Sequence, residues 1–131
     1  MKKILIDTSV IIDFLRRKNK EQTLFYALAK NKSGLYISII THTEFFEGKS
    51  VWENENARNE LNTIFSGLRI FPLEIEISQK AGEIRAHYKT DLLDAIIAAT
   101  SLITWLRISH LQFKAFPKNK RNNFIYFSNL I

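Results

Sequence analysis

The chain has 131 residues and no cysteine, and its nineteen Lys and Arg against thirteen Asp and Glu give a net charge of +6. The length suits one domain with a core of its own, and 46% hydrophobic with 12% aromatic content belongs to a globular protein. Disulfides and thiolate metal sites are excluded, and the basic excess favours a polyanionic partner, either nucleic acid or an acidic protein. Asp7 and Asp13 break up the apolar stretch behind Lys2 and Lys3 that would otherwise imitate a signal peptide. No run approaches the ~18 apolar residues of a membrane span. The expected setting is the cytoplasm, with no membrane contact.

Ile4–Ile6 reads as a short buried strand ending at Asp7, and "TSVIIDFLRR" as a helix capped by Thr8 or Ser9. Leu24, Phe25 and Leu28 give Glu21–Asn31 a helical spacing, and the β-branched run Leu35–Ile40 reads as a second strand. Thr41–Gly48 turns helical, with Thr41 or Thr43 as cap and Glu44 in the first turn. Glu53–Phe65 is a polar helix stopped by Gly67, and "LRIFPL" is a third strand cut short by Pro72. Ile75–Tyr88 and Asp91–Thr104 are helices, the second apolar almost all round and hence central. "WLRIS" and "NFIYF" are the last strand candidates. This alternation predicts an α/β fold, with a central, mostly parallel sheet flanked by helices, as a single domain over residues 1–131.

In such sheets ligands sit beyond the carboxyl ends of the strands. Asp7 ends the first strand, Glu44 lies just past the second, and "DLLDAIIAAT" carries Asp91 and Asp94 on one face of a helix's first turn. Carboxylates that meet in a cleft repel, and a Mg²⁺ or Mn²⁺ ion removes that cost. Each acid also has a structural reading. Asp7 can pair with a helix N-terminus, Glu44 can sit in the helix dipole, and Asp91 can cap its helix. Asp94 stands against Ala95, Ile96 and Ala98, where a carboxylate needs a partner.

Taken together and in order, "ILIDTSVIIDFL", "YISIITHTEFFEG" and "DLLDAIIAAT" resemble the three signature segments of PIN-domain proteins. Their spacing is most similar to the VapC-type toxins of bacterial and archaeal toxin–antitoxin pairs. The resemblance covers Ile4 to Thr100 and leaves the C-terminal part atypical. It implies a PIN-like domain acting as a Mg²⁺- or Mn²⁺-dependent endoribonuclease. Such a toxin cleaves RNA phosphodiesters with a metal-activated water, is neutralised by a cognate antitoxin protein, and forms a homodimer. Carried over residue by residue, the resemblance assigns catalysis and metal ligation to Asp7, Glu44 and Asp94, with Thr8 and Ser9 beside them.

The family pattern continues with a strand and "T-x-N-x-x-D-F", whose Asp is a fourth acid. No Asp or Glu follows Asp94 in this chain, and "RISHLQF" puts Ser109 and Gln112 where the Asn and the acid would be. Three readings stay open. The fourth acid is dispensable because it acts through water, Asp91 supplies its charge, or the chain is a weakened or inactive member that binds RNA or antitoxin without cutting. Reduced activity, rather than none, is the expectation.

Other chemistries find no support. His42, His87 and His110 lack zinc-pair spacing, Ser9 lacks a nucleophile-elbow setting, and the four glycines are isolated. His42 reads as a polar turn residue. The basic stretches Leu15–Lys20 and Lys114–Asn123 are either solvated surface or contacts to an RNA backbone. Phe113, Phe116 and Phe124 are core residues or stacking platforms.

Overall fold

The computed structural model describes residues 3–31 and 34–109. The sheet is parallel, in the order β3-β2-β1-β4, built from β1 (Lys3–Ile6), β2 (Gly34–Ser38), β3 (Arg69–Phe71) and β4 (Arg107–Ser109). Alternate residues of β1 and β2 face opposite sides, as the pleat requires. Ile6, Leu35 and Ile37 pack with α1 (Thr8–Arg16) and α5 (Glu55–Ser66), with Leu24 and Phe25 of α2 (Leu24–Lys30) against them. Leu5 and Tyr36 turn the other way, onto Ile97 of α7 (Leu92–Thr104).

Outside α7 lies α6 (Ile75–His87). Ala81 of α6 and Ala95, Ala98 and Ala99 of α7 are buried between the two, small side chains that let the helices approach closely. Between β2 and α5 run α3 (Ile39–Phe46) and the short α4 (Lys49–Glu53). The chain thus moves outward from β1 to β3, then crosses the sheet through α6 and α7 to lay β4 on the far side of β1. That reversal of strand order opens a crevice between β1 and β4 at the carboxyl end of the sheet.

Helix boundaries differ from the sequence expectation where side chains settle the caps. Asp7, rather than Thr8 or Ser9, caps α1. Ser38 caps α3, so Ile39 and Ile40 open that helix instead of closing β2, and Glu44 falls in the second turn rather than the first. Thr23 caps α2 and separates it from a 3₁₀ turn at Lys20–Gln22; Asn54 caps α5, which starts two residues later than the expected Glu53, and the short α4 before it has no counterpart in the sequence expectation. Asp91 caps α7 as expected. Trp105 ends that helix in the left-handed region at φ 62°, the conformation that turns the chain straight into β4. "NFIYF" lies outside the described residues.

Ile37 sits at the centre of the fold, fully buried on an interior strand. Ile37→Ala leaves a cavity that parallel strands on both sides cannot close, and is expected to cost about 2–5 kcal/mol. Urea unfolding measures it, and a loss under about 1 kcal/mol contradicts this placement of the core.

Candidate active site

Three chain segments deliver acids to the crevice beside β1. Asp7 leaves β1 and caps α1, where Ser9 Oγ donates to its Oδ2 at 2.8 Å and the Ser9 amide at 3.4 Å. Glu44 projects from α3 and accepts a 2.9 Å hydrogen bond from Thr8 Oγ1. Asp94 stands in the first turn of α7, and Asp91 spends Oδ1 on the Leu93 amide at 3.0 Å. Thr8 and Ser9, expected beside the site, are its direct supports.

The electrostatics show the cost of this gathering. Burial pushes the Asp94 carboxyl up from 3.8 to about 6, and the charges of Asp91, Asp7 and Glu44 push the same way. Glu44 is also raised, by burial first; the Thr8 hydrogen bond opposes the rise and the charges of Asp7, Glu47 and Asp91 add to it. No ion pair reaches these acids among the described residues, where the side-chain pairs are Arg17–Asp13, Lys49–Glu53 and Lys80–Glu83.

An all-oxygen, anionic donor set with no countercharge among the described residues fits a hard divalent cation. The acids do not crowd onto one point, however. Among the described residues no group of three His, Cys, Asp or Glu is close enough to hold an ion. The arrangement fits an ion ligated directly by one or two carboxylates and reached by the others through water, the usual habit of Mg²⁺.

The basic stretch at Leu15–Lys20 is not part of this crevice. It lies at the far end of α1, roughly 13 Å along the axis from Asp7 for nine residues. Lys20 Nζ donates to the carbonyls of Phe14 and Leu15 at 2.6 and 3.2 Å, and Arg17 pairs with Asp13 at 3.0 Å, so two of its cations are engaged in holding the helix end. His42 lies within α3 rather than in a turn. Its ring packs 4.8 Å from both Phe46 and Phe65. Gln112, Phe113, Phe116, Phe124, His110 and the second basic stretch lie outside the described residues, as does the side chain of Ser109.

A model of the PIN-domain family matches residues 4–107. The chain belongs to the PIN-domain family.

The match carries the PIN domain beyond Thr100, where the sequence resemblance ended, through α7 and into β4. A comparison with curated proteins finds no match. Among solved structures, the PIN domain is similar to a toxin–antitoxin complex from Klebsiella pneumoniae, at 27% identity over 90% of this chain and 93% of that one, with a TM-score of 0.70. VapBC2 from Rickettsia felis, bound to a DNA fragment from its promoter, shares the fold at 19% identity over 88% and 93% of the two chains, with a TM-score of 0.68. FitAcB from Neisseria gonorrhoeae does so at 21% identity over 96% and 93%, with a TM-score of 0.66.

Sequence reasoning missed Thr41, a fully buried hydroxyl one helical turn before Glu44 whose Oγ1 lies 3.3 Å from that of Thr8. The signal was present as spacing, since positions 38, 41 and 44 fall on one stripe of a helix. Reading Thr41 as a cap concealed it.

The raised carboxyl of Asp94 sets the sign of a pH effect. Asp94 binds its proton more readily folded than unfolded, so between about pH 6 and the ordinary carboxylate range the native state holds the extra proton. Stability of the metal-free PIN domain therefore rises as pH falls through that window, with Glu44 contributing in the same direction. Asp94→Asn is expected to raise the urea midpoint at neutral pH and to flatten this rise. Equal pH dependence in wild type and variant contradicts the assignment.

Proposed function

We propose that this PIN domain is the toxin of a toxin–antitoxin pair, a divalent-metal-dependent endoribonuclease whose ion is held by Asp7 and Asp94, with Glu44 reaching it directly or through water. The observation that supports this reading is that Asp94, partly buried, feels the charges of Asp7 and Glu44, which come from two other segments at the carboxyl end of the sheet, with no countercharge among the described residues. A bound Mg²⁺ or Mn²⁺ supplies a Lewis acid that acidifies water and stabilises the charge of a phosphodiester in transit.

The protein's own part is positional. Ser9 fixes the Asp7 carboxylate and Thr8 holds Glu44. The N-termini of α1 and α7, at Asp7 and Asp91, set partial positive charge beside the place of reaction. No protein group is required to take the proton from the attacking water. RNA, with its anionic backbone, suits the +6 net charge of the chain.

The toxin–antitoxin complexes among the similar folds support an antitoxin as partner. Its chemistry follows from the crevice, where an Arg or Lys placed among the acids forms charge-assisted hydrogen bonds and keeps the ion and the RNA out. A homodimer and a cytoplasmic setting complete the reading, the second in keeping with a chain that has no cysteine. Among the described residues no helix is long and apolar enough to cross a membrane.

A second reading has its own support. No Asp or Glu follows Asp94, and no three acids among the described residues are close enough to hold an ion. On that reading the chain is a PIN domain that binds RNA or antitoxin with weakened cleavage or none.

One experiment separates the two. Purified protein incubated with RNA and Mg²⁺ or Mn²⁺ is expected to cut it, EDTA to stop cleavage, and Asp7→Ala to reduce the rate by about a hundredfold or more. Cleavage that survives EDTA or Asp7→Ala rejects the metal mechanism. Undiminished RNA binding without cleavage at any divalent-ion concentration selects the second reading.

A further inference from the structure

Two helices place three oxygens in a row beside the acids. Thr8 Oγ1 on α1 lies 2.9 Å from Glu44 Oε1 and 3.3 Å from Thr41 Oγ1, both on α3. Thr41 is fully buried, and Thr8 is the one hydrogen-bond partner of its hydroxyl among the described residues. Other helical threonines behave differently. Thr43 and Thr100 donate to the carbonyl four residues back on their own helices, at 2.9 and 2.7 Å. Thr41 instead turns its hydroxyl across to α1.

Each hydroxyl has one proton, which limits the arrangements. If Thr8 donates to Thr41, the Glu44 oxygen loses its donor and the proton of Thr41 is buried without an acceptor among the described residues. If Thr8 donates to Glu44, its lone pair is free to accept from Thr41, and all three groups are satisfied. A buried polar group without a partner is costly, so the second arrangement is the one a buried Thr41 selects. It also strengthens the bond to the carboxylate, because a hydroxyl that accepts a hydrogen bond becomes a better donor.

We propose that Thr41 is a positioning residue: by donating to Thr8 it fixes the Thr8 hydroxyl on Glu44 and holds that carboxylate in one orientation at the crevice. The purpose of the orientation rests on the metal-site reading given above, whereas the relay itself stands on the geometry alone.

The test uses the metal-free full chain at a fixed neutral pH, with Thr41→Val, Thr41→Ser and Thr8→Val. The side-chain carboxyl ¹³C resonance of Glu44 and the affinity for Mn²⁺ are read together with the urea midpoint. Thr41→Val is expected to move the Glu44 resonance in the same direction as Thr8→Val and to weaken Mn²⁺ binding roughly two- to tenfold, the worth of one hydrogen bond. Thr41→Ser restores both toward wild type whatever it does to stability, an outcome that a purely structural role would not produce.

A folded Thr41→Val protein with the wild-type Glu44 resonance overturns the proposal. Should Thr41→Val not fold, the Thr41 hydroxyl proton of the wild-type protein decides. Slow exchange and a nuclear Overhauser contact to Thr8 support the relay, and their absence rejects it. Wild-type protein that binds no Mn²⁺ rejects the metal reading of the crevice and leaves the Glu44 resonance to judge the relay.

Discussion

The cost of partly burying carboxylates of like charge is the constraint from which the rest of this structure follows. Asp7, Glu44, Asp94 and the exposed Asp91 come from segments far apart in the chain, and burial first, then their mutual charge, raises the proton affinity of Glu44 and Asp94. Nothing in the hydrophobic core requires them to meet. The sheet brings them together because parallel strands end on one side, and the helices that follow them begin there. The stability of the core layers, with Leu5, Ile6 and Ile37 fully buried, is what holds these acids in place without a countercharge among the described residues.

Short polar side chains at the helix starts moderate that repulsion. Asp7 and Asp91 spend part of their charge on the open amides of α1 and α7, and Ser38 does the same service for α3. Each helix N-terminus adds about half a positive charge beside the acids, worth roughly 0.3–1 kcal/mol apiece at an exposed site. That is too little to neutralise four carboxylates. The residual attraction for a cation, whether a metal ion or the Arg or Lys of a partner, is therefore built into the way the helices begin.

Much of this was legible in the sequence because strand ends and helix starts carry local signals. The apolar run ending at Asp7, the apolar α7 behind Asp91 and Asp94, and the β-branched β2 all follow from periodicity and composition. The parallel sheet follows from their alternation. The boundary at Ser38 was not legible, because Ile39 and Ile40 have strand propensity and only tertiary packing turns them into a helix. Ile40 packs towards α6 and α7, whereas Phe45 and Phe46 pack on the opposite layer. A helix bridging both layers overrides the preference of its first residues. That shift moved Glu44 into the second turn, one turn beyond Thr41. His42 was misread for the same reason, since a turn at that position exposes an imidazole whereas α3 packs it against Phe46 and Phe65.

The position of the positive charge also follows from the direction of α1. A helix that begins at the acids must end away from them, and its last turn is where cations are favoured by the helix dipole. Arg16 is exposed there, while Arg17 and Lys20 are bound to Asp13 and to the carbonyls of Phe14 and Leu15. The two ends of one nine-residue helix thus present opposite charge, acid at the crevice and base at the far face. Had the cations of α1 stood at its start, they would have neutralised Asp7 and Glu44 and removed the field that draws a cation to the crevice. A polyanion that reaches the acids is therefore repelled by the carboxylates until a bound cation reverses the sign. If the crevice takes the two ligands proposed for it, its electrostatics require the metal before the nucleic acid.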